Sequence, residues 1–357
     1  MQPTYKYIHP GFKFNGVSVT FSDLDEVSYS LIKEGKPYER DFGDFLLHWI
    51  DKEPTIQVQT SGSTGVPKTI VLEKQHMVNS AMATGNFFNL KAGDSALLCL
   101  SGAYIAGKMM MVRAMMLGLE LDVIEPISRP LYDSHKPYDF CAMVPLQLEN
   151  SLERLSHIKT LIVGGATISK ALKEKVQNVK ARIYETYGMT ETITHIALRK
   201  ANHGPLDYFE TLPNITIQKD ARDCLVINAP YLNRAPIITN DLVDLVSEKA
   251  FKWLGRFDNI INSGGVKLIP EAIELKLATT IKKRFFVTGI PDEKLGQKVV
   301  LLIENEGDAP DLIDKIKSLK TLEKYEIPKE ILFLEKFVET INGKISRKNT
   351  LQQILNS

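Results

Sequence analysis

The chain has 357 residues, 44% of them hydrophobic and 24% charged, and its formal net charge is +1. That is the composition of an ordinary soluble globular protein, long for a single core and comfortable for two domains. So small a net charge supplies no global attraction to nucleic acid or to an anionic membrane, and neither is expected as a partner.

In chain order, Met1, Gln2, Pro3, Thr4 and Tyr5 begin no apolar run of the secretory kind. Residues 41–50 have the spacing of an amphipathic helix that buries Phe42, Phe45, Leu46 and Trp49. Residues 55–59 alternate apolar Ile56 and Val58 with polar neighbours, and 69–72 continue a β-branched run, so both read as strands. Between them lies Thr60-Ser61-Gly62-Ser63-Thr64-Gly65-Val66-Pro67-Lys68, a loop held at both ends. Gly62 and Gly65 let the backbone turn its N–H groups inward, two serines and two threonines add hydroxyl donors, and Lys68 adds a positive charge at the exit. That composition suits a polyanion such as a nucleotide triphosphate. A Ser/Gly-rich surface hairpin is the bland alternative. The loop is no Walker A sequence, because Pro67 stands where that pattern has glycine and a β-branched run follows where it needs a helix.

Beyond the loop, 74–90 and 103–117 read as helices and 95–100 and 120–124 as strands. The apolar stretch 96–123 is interrupted by Ser101-Gly102, Lys108 and Arg113, so it reads as buried structure and not as a membrane span. Strands follow at 138–144, 159–163 and 181–185, with helices at 146–155 and 169–179. This alternation predicts an α/β fold with a layered, largely parallel sheet. From about residue 193 to residue 240 the pattern changes to short strands and turns. Glycine-bearing turns at 255–258 and 263–265 mark the best boundary, giving a large N-terminal domain, 1–257, and a small α+β C-terminal domain, 258–357. The second has strands at 285–289, 298–304 and 330–334 and helices at 271–281 and 311–319. It is too small to bury a nucleotide pocket of its own and reads as a mobile lid. Cys99, Cys141 and Cys224 lie far apart without metal-ligand spacing and read as core thiols of a reducing, cytoplasmic compartment.

Two further stretches carry chemistry. Tyr187-Gly188-Met189-Thr190-Glu191-Thr192 follows a strand, and open α/β sheets bind ligands at the carboxyl ends of their strands. Glu191 is a hard oxygen ligand suited to Mg²⁺, Thr190 can hydrogen-bond an α-phosphate, and Tyr187 offers a flat face to adenine. An ordinary capped turn is the alternative. Gly164-Gly165-Ala166 ends another strand, where small residues permit close approach by a flat group, and a tight strand-to-helix turn explains it equally well.

With these motifs together, the chain resembles the adenylate-forming superfamily of acyl- and aryl-CoA ligases, luciferases and peptide-synthetase adenylation domains. The resemblance runs through Thr60 to Lys68, Tyr187 to Glu191, Thr239-Asn240-Asp241-Leu242, Gly255 to Glu274 and Gly343-Lys344-Ile345-Ser346-Arg347. It implies a large adenylate-forming domain with a smaller lid, and ATP, Mg²⁺, coenzyme A and a small carboxylic acid as ligands. The 60–68 loop would take the β and γ phosphates, and Tyr187, Gly188, Thr190 and Glu191 the roles just given. Gly164, Gly165 and Ala166 would lie along the acyl and adenine pocket. The resemblance makes Asp241 the acceptor for both ribose hydroxyls, sends Arg256 to the ribose or phosphates, and makes Asp258 the hinge. Gly264 and Gly265 would let the backbone pass the pantetheine arm, and Lys344 would be the catalytic lysine, neutralising carboxylate and α-phosphate together. Three positions depart from the family: Asn240 replaces a glycine, tolerably because asparagine adopts positive φ; Asn262 replaces a lysine; and Ala103 to Gly107 lacks the usual histidine, leaving Tyr104 to gate the acyl pocket.

The implied reaction is a two-step ligation, acyl-adenylate formation followed by thioesterification. The short stretch before the loop leaves little wall for a long acyl tunnel, so a compact aromatic or dicarboxylic acid fits better. Lys108 and Arg113 stand among Met109, Met110, Met111, Met115 and Met116, where a cation would suit a second carboxylate; methionine core packing with snorkelling cations is the alternative. Within the superfamily the chain is most similar to the 2-succinylbenzoate-CoA ligases of menaquinone synthesis. An enzyme loading another aryl acid onto coenzyme A or a carrier protein, and a nucleotide-binding protein without turnover, are the competing readings. His195 receives no role, and self-association is left open.

Overall fold

The computed structural model describes residues 3–59, 68–132, 136–305, 311–339 and 345–355. The chain opens with β1 (Lys13–Phe14), β2 (Val17–Ser18) and α1 (Leu24–Lys33), then α2 (Pro37–Ile50). α2 begins four residues before its expected start because Pro37 takes the first helical turn and the Lys36 N–H donates to Glu39 Oε2 at 2.7 Å. Phe42, Phe45, Leu46 and Trp49 are all buried, as the periodicity predicts.

β3 (Thr55–Gln59) and β4 (Thr69–Glu73) pair antiparallel as a separate two-stranded sheet, with Gln59 opposite Thr69. The Gln59 amide donates to Thr69 Oγ1 at 2.9 Å, so the ladder runs to both ends of the connecting segment. Residues 60–67 themselves lie outside the described residues.

Then come α3 (Lys74–Phe88), β5 (Ser95–Leu98), α4 (Ile105–Leu117), β6 (Glu120–Val123), β7 (Tyr138–Met143), α5 (Pro145–Asn150), β8 (Ile158–Val163), α6 (Lys170–Lys175) and β9 (Arg182–Gly188). Two helices are shorter than their patterns. The one over 146–155 breaks at Ser151 into α5 and a 3-10 segment, Leu152–His157, and α6 starts where the Ser169 hydroxyl caps the Leu172 N–H at 3.1 Å.

β10 (His195–Lys200), β11 (Phe209–Thr211), β12 (Thr216–Lys219), β13 (Cys224–Asn228), β14 (Ile237–Ser247) and β15 (Ala250–Arg256) complete a sheet of 13 strands among the described residues. Its order is β12-β13-β14-β15-β11-β10-β9-β8-β7-β5-β6-β1-β2. The expectation of a largely parallel sheet holds for only part of it. β1, β6, β5, β7, β8 and β9 run parallel, whereas every pairing from β9 to β12 is antiparallel. After Gly188 the crossover helices stop, and short turns can join only antiparallel neighbours.

Alternation along the parallel strands builds two apolar faces. Leu97, Cys141, Leu161 and Ile183 pack with Leu148 and Leu172, while Ala96, Leu98, Phe140 and Ile162 pack with the methionines of α4. Met109, Met110, Met111 and Met115 are wholly buried, each contributing about 1.5–3 kcal/mol of apolar burial. The three cysteines are buried and free. Among the described residues no helix is long and apolar enough to cross a membrane.

The second sheet begins at β16 (Ile261–Ser263) and continues with β17 (Val266–Leu268), α7 (Pro270–Leu277), β18 (Phe285–Asp292), β19 (Gly296–Glu304), α8 (Leu312–Lys317), β20 (Glu330–Leu334) and α9 (Arg347–Leu355). Its strand order is β17-β16-β19-β18, with β20 parallel on β19, around a core including Ile273, Leu277, Val287 and Leu301. Gly264 (φ 59°) and Gly265 (φ 82°) form the two-residue turn between Ser263 and Val266, which demands positive φ at both positions. α7 meets β15 closely: a Cβ on Gly255 would fall 2.5 Å from Glu271 Oε2.

Candidate active site

The centre of the site is the end of β9. Tyr187 and Gly188 are the last residues of that strand rather than the start of a turn, and Thr190–Thr192 then form one 3-10 turn. The Met189 N–H donates to Thr192 Oγ1 at 2.9 Å, and the Thr194 N–H donates to the Thr192 carbonyl at 2.7 Å. That last bond closes a γ-turn on Ile193, whose φ of 65° and ψ of −55° are strained for a β-branched residue. Burial of the Ile193 side chain offsets a strain of about 1–3 kcal/mol. Nothing in local sequence chemistry announces this turn.

Gly188 is required by what returns beside it. A Cβ there would fall 2.3 Å from the Thr194 carbonyl oxygen and 2.6 Å from His195 Cα, both backbone atoms. Gly188→Ala is expected to cost about 1–3 kcal/mol in urea unfolding; an unchanged midpoint would show that the backbones can part freely. Gly164 is similarly confined, since its Cβ would meet Thr186 Oγ1 at 2.3 Å, and Gly165 takes φ 83°. The Gly164-Gly165-Ala166 turn therefore follows β8 directly against the residue preceding Tyr187.

The turn leaves Glu191 exposed, with no hydrogen bond or ion pair among the described residues, and Thr190 half-buried. β4, the strand that follows Lys68, packs beside this turn. Thr60, Ser61, Gly62, Ser63, Thr64 and Gly65 lie outside the described residues, as does Lys344. Past that second segment, Arg347 makes a bidentate pair with Glu274 at 2.7 and 2.8 Å and donates to the Val287 carbonyl at 3.0 Å.

β14 and β15 supply the next group. Asp241 is buried opposite Arg256, its Oδ2 accepting from the Tyr187 hydroxyl at 2.6 Å and its Oδ1 from Trp253 Nε1 at 3.2 Å. Burial, with Asp241 beside it, holds the Tyr187 phenol well above its ordinary value, so it stays a donor. Its ring packs on Phe251 at 5.0 Å and Phe209 at 5.8 Å. Arg256 lies 3.7 Å from Asp241 and 3.3 Å from Asp258. Tyr187, Asp241, Arg256 and Asp258 thus form one connected cluster. Asn240 is a strand residue outside the positive-φ set, so the expectation that it stands in for glycine by its backbone is corrected. It acts through its side chain, donating to Asp258 Oδ2 at 3.1 Å and accepting from Arg222 at 2.9 Å.

Tyr104 precedes the first turn of α4, a helix whose methionines share one core cluster with Ile193, Phe209 and Phe251. The Lys108 ammonium donates to the Gly102 carbonyl and lies 5.7 Å from the Phe45 ring, with burial lowering its pKa. That ammonium therefore engages its own chain near α2. Arg113 does not snorkel, because α4 is enclosed from Met109 to Leu117. It is 1% exposed, and burial lowers its pKa to about 9. Its Nη2 donates to Thr194 Oγ1 at 3.1 Å, its Nε has no partner, and no carboxylate pairs with it among the described residues. His195, to which sequence reading gives no role, is buried beside it, with Thr84 Oγ1 3.3 Å from Nε2 and Thr194 Oγ1 3.4 Å from Nδ1.

Burial, and then Arg113, hold the His195 pKa well below its ordinary 6.5. The unfolded chain therefore takes up this proton first. The stability contribution is complete above pH 6.5 and is lost as pH falls toward the folded pKa, at up to about 1.4 kcal/mol per pH unit. His195→Gln should lose less stability than the parent between pH 7 and pH 5 in urea titrations; equal losses would contradict a buried neutral imidazole.

No group of three or more His, Cys, Asp or Glu side chains among the described residues could cage a metal. A magnesium ion held by one carboxylate and by substrate phosphate oxygens needs no cage, and the unpaired Glu191 fits that mode.

A model of the AMP-binding enzyme family matches residues 17–218. A 2-succinylbenzoate–CoA ligase of Bacillus cereus is 26% identical, over 85% of this chain and 70% of its own. Among solved structures, the acyl-CoA synthetase (AMP-forming)/AMP-acid ligase II-like protein of Dyadobacter fermentans DSM 18053 is 36% identical, with a TM-score of 0.61 over 92% of this chain and 98% of that one. The O-succinylbenzoate coenzyme A synthetase (MenE) of Bacillus subtilis, in complex with ATP and magnesium ion, shares the fold at 19% identity, with a TM-score of 0.73 over 92% of this chain and 82% of that one.

Proposed function

This chain belongs to the AMP-binding enzyme family and is an AMP-forming ligase, and on that premise we propose that it joins 2-succinylbenzoate to coenzyme A. One observation carries the choice of acid: Arg113 is a buried guanidinium without a carboxylate partner among the described residues, held by Thr194 three positions after Glu191. Leaving such a charge unpaired is costly, and the second carboxylate of a dicarboxylic acid would pair it. The name carried by the curated Bacillus relative supports the same acid.

In the first step a carboxylate oxygen attacks the α-phosphorus of ATP in line; the acyl O–P bond forms and the bond to pyrophosphate breaks. Tyr187 faces the adenine, Asp241 receives the ribose hydroxyls, Arg256 reaches the ribose or phosphates, and the 60–68 loop with Lys68 holds the β and γ phosphates. Lys344 lies between the two anions that must meet. Glu191 would hold magnesium, which supplies charge neutralisation on the triphosphate. In the second step the thiol sulfur attacks the acyl carbonyl and AMP leaves, with residues 258–357 swinging about Asp258 to withdraw Lys344 and admit the pantetheine arm past Gly264 and Gly265. The free buried cysteines suit a reducing cytoplasm.

Purified protein given ATP, magnesium, coenzyme A and a panel of aryl and dicarboxylic acids tests this by product mass. 2-Succinylbenzoate should yield its CoA thioester with AMP and pyrophosphate. Silence with that acid beside turnover of another would remove the acid assignment, and adenylate without thioester would point to a carrier-protein thiol.

A further inference from the structure

Asp241 can serve a ribose only if its carboxylate is held in one orientation, and β15 supplies the means. In register, Asp241 lies opposite Arg256, Leu242 opposite Gly255, and Val243 opposite Trp253, so the ladder slips by one residue at Leu254. In a regular strand residues 253 and 256 point to opposite faces. The bulge returns Trp253 to the face of Arg256 and Asp241. Its indole Nε1 thereby donates to Asp241 Oδ1 at 3.2 Å, while the Tyr187 hydroxyl donates to Oδ2 at 2.6 Å. Each oxygen has two acceptor directions, so one donor on each leaves one free on each, the pattern two adjacent hydroxyls would fill. A phenylalanine at 253 would pack as well but would leave Oδ1 without that donor.

We infer that Trp253 and the Tyr187 hydroxyl are positioning residues that fix the two oxygens of Asp241 for the 2′- and 3′-hydroxyls of the nucleotide. The inference rests on the reading of Asp241 as the ribose acceptor. It makes Trp253, half-buried on β15, a determinant of selectivity for ribonucleotides without contact between it and the sugar.

The test compares kcat/KM for ATP and 2′,3′-dideoxyATP in the adenylation half-reaction of the full chain and of Asp241→Asn, Trp253→Phe and Tyr187→Phe. The preference for ATP is read within each protein, so partial loss of folded material cancels. Trp253→Phe should shrink that preference about 3- to 10-fold, the worth of one positioned hydrogen bond, and Tyr187→Phe should shrink it independently should the first variant fail to fold. Equal losses on both nucleotides, or an intact preference in both variants while Asp241→Asn loses it, would overturn the inference alone. An intact preference in Asp241→Asn would instead remove the ribose reading beneath it.

Discussion

Lys344→Ala will slow adenylate formation by about 10²- to 10³-fold, the usual cost of removing one group aimed at developing charge, while ATP still binds and supplied acyl-adenylate is still consumed by coenzyme A. The asymmetry follows from the electrostatics of the first step alone. A carboxylate and a phosphate must approach each other, and a compact ammonium between them lowers the repulsion most at the point of closest approach. The second step joins a thiol to a neutral carbonyl and needs no such cation. Lys344 lies outside the described residues, but the chain after it is firmly tied: Arg347 grips Glu274 through two bonds of 2.7 and 2.8 Å and lies 5.5 Å from the Phe286 ring. Burial raises the Glu274 pKa, the pairing with Arg347 opposing it. Single-turnover rates for the two half-reactions check the prediction, and equal losses in both would contradict a lysine withdrawn between steps.

Arg113→Met should lower kcat/KM for 2-succinylbenzoate by about 30-fold to a few thousand-fold, corresponding to roughly 2–5 kcal/mol for removing one partner of a buried charge pair. An aryl acid lacking the second carboxylate should lose far less. Because α4 already packs four wholly buried methionines around this position, Met fills the space, and trading a buried guanidinium for an apolar side chain should leave stability equal or higher. Steady-state kinetics on the two acids with a denaturation curve for each protein decide the matter. A parallel loss on both acids would mean that Arg113 serves the protein's own framework.

The α/β layering of the first half is legible in the sequence because its crossover helices announce themselves at helical spacing and its strands are continuous apolar runs. α1 goes unpredicted although Leu24, Val27, Leu31 and Ile32 recur at helical spacing and Leu24, Val27 and Leu31 pack on the core. The antiparallel half is less legible, for its pairing is decided by turns and bulges. The slip at Leu254 that swings Trp253 onto Asp241 leaves no mark in composition. Motif residues were the most readable part of the site, and Tyr187, Asp241, Arg256 and Asp258 do meet in space. What could not be read were the contacts made by ordinary residues. Thr194 earns its place only because a strained γ-turn brings it to both Arg113 and His195, and Gly188 only because that same backbone returns across it.

The most direct test follows an oxygen atom. When the acid is supplied with ¹⁸O in the reacting carboxylate and taken to its CoA thioester, attack on the α-phosphorus requires that the AMP released carry one ¹⁸O from that acid. AMP without the label, or label appearing in inorganic phosphate beside ADP, would contradict an adenylate mechanism for this chain.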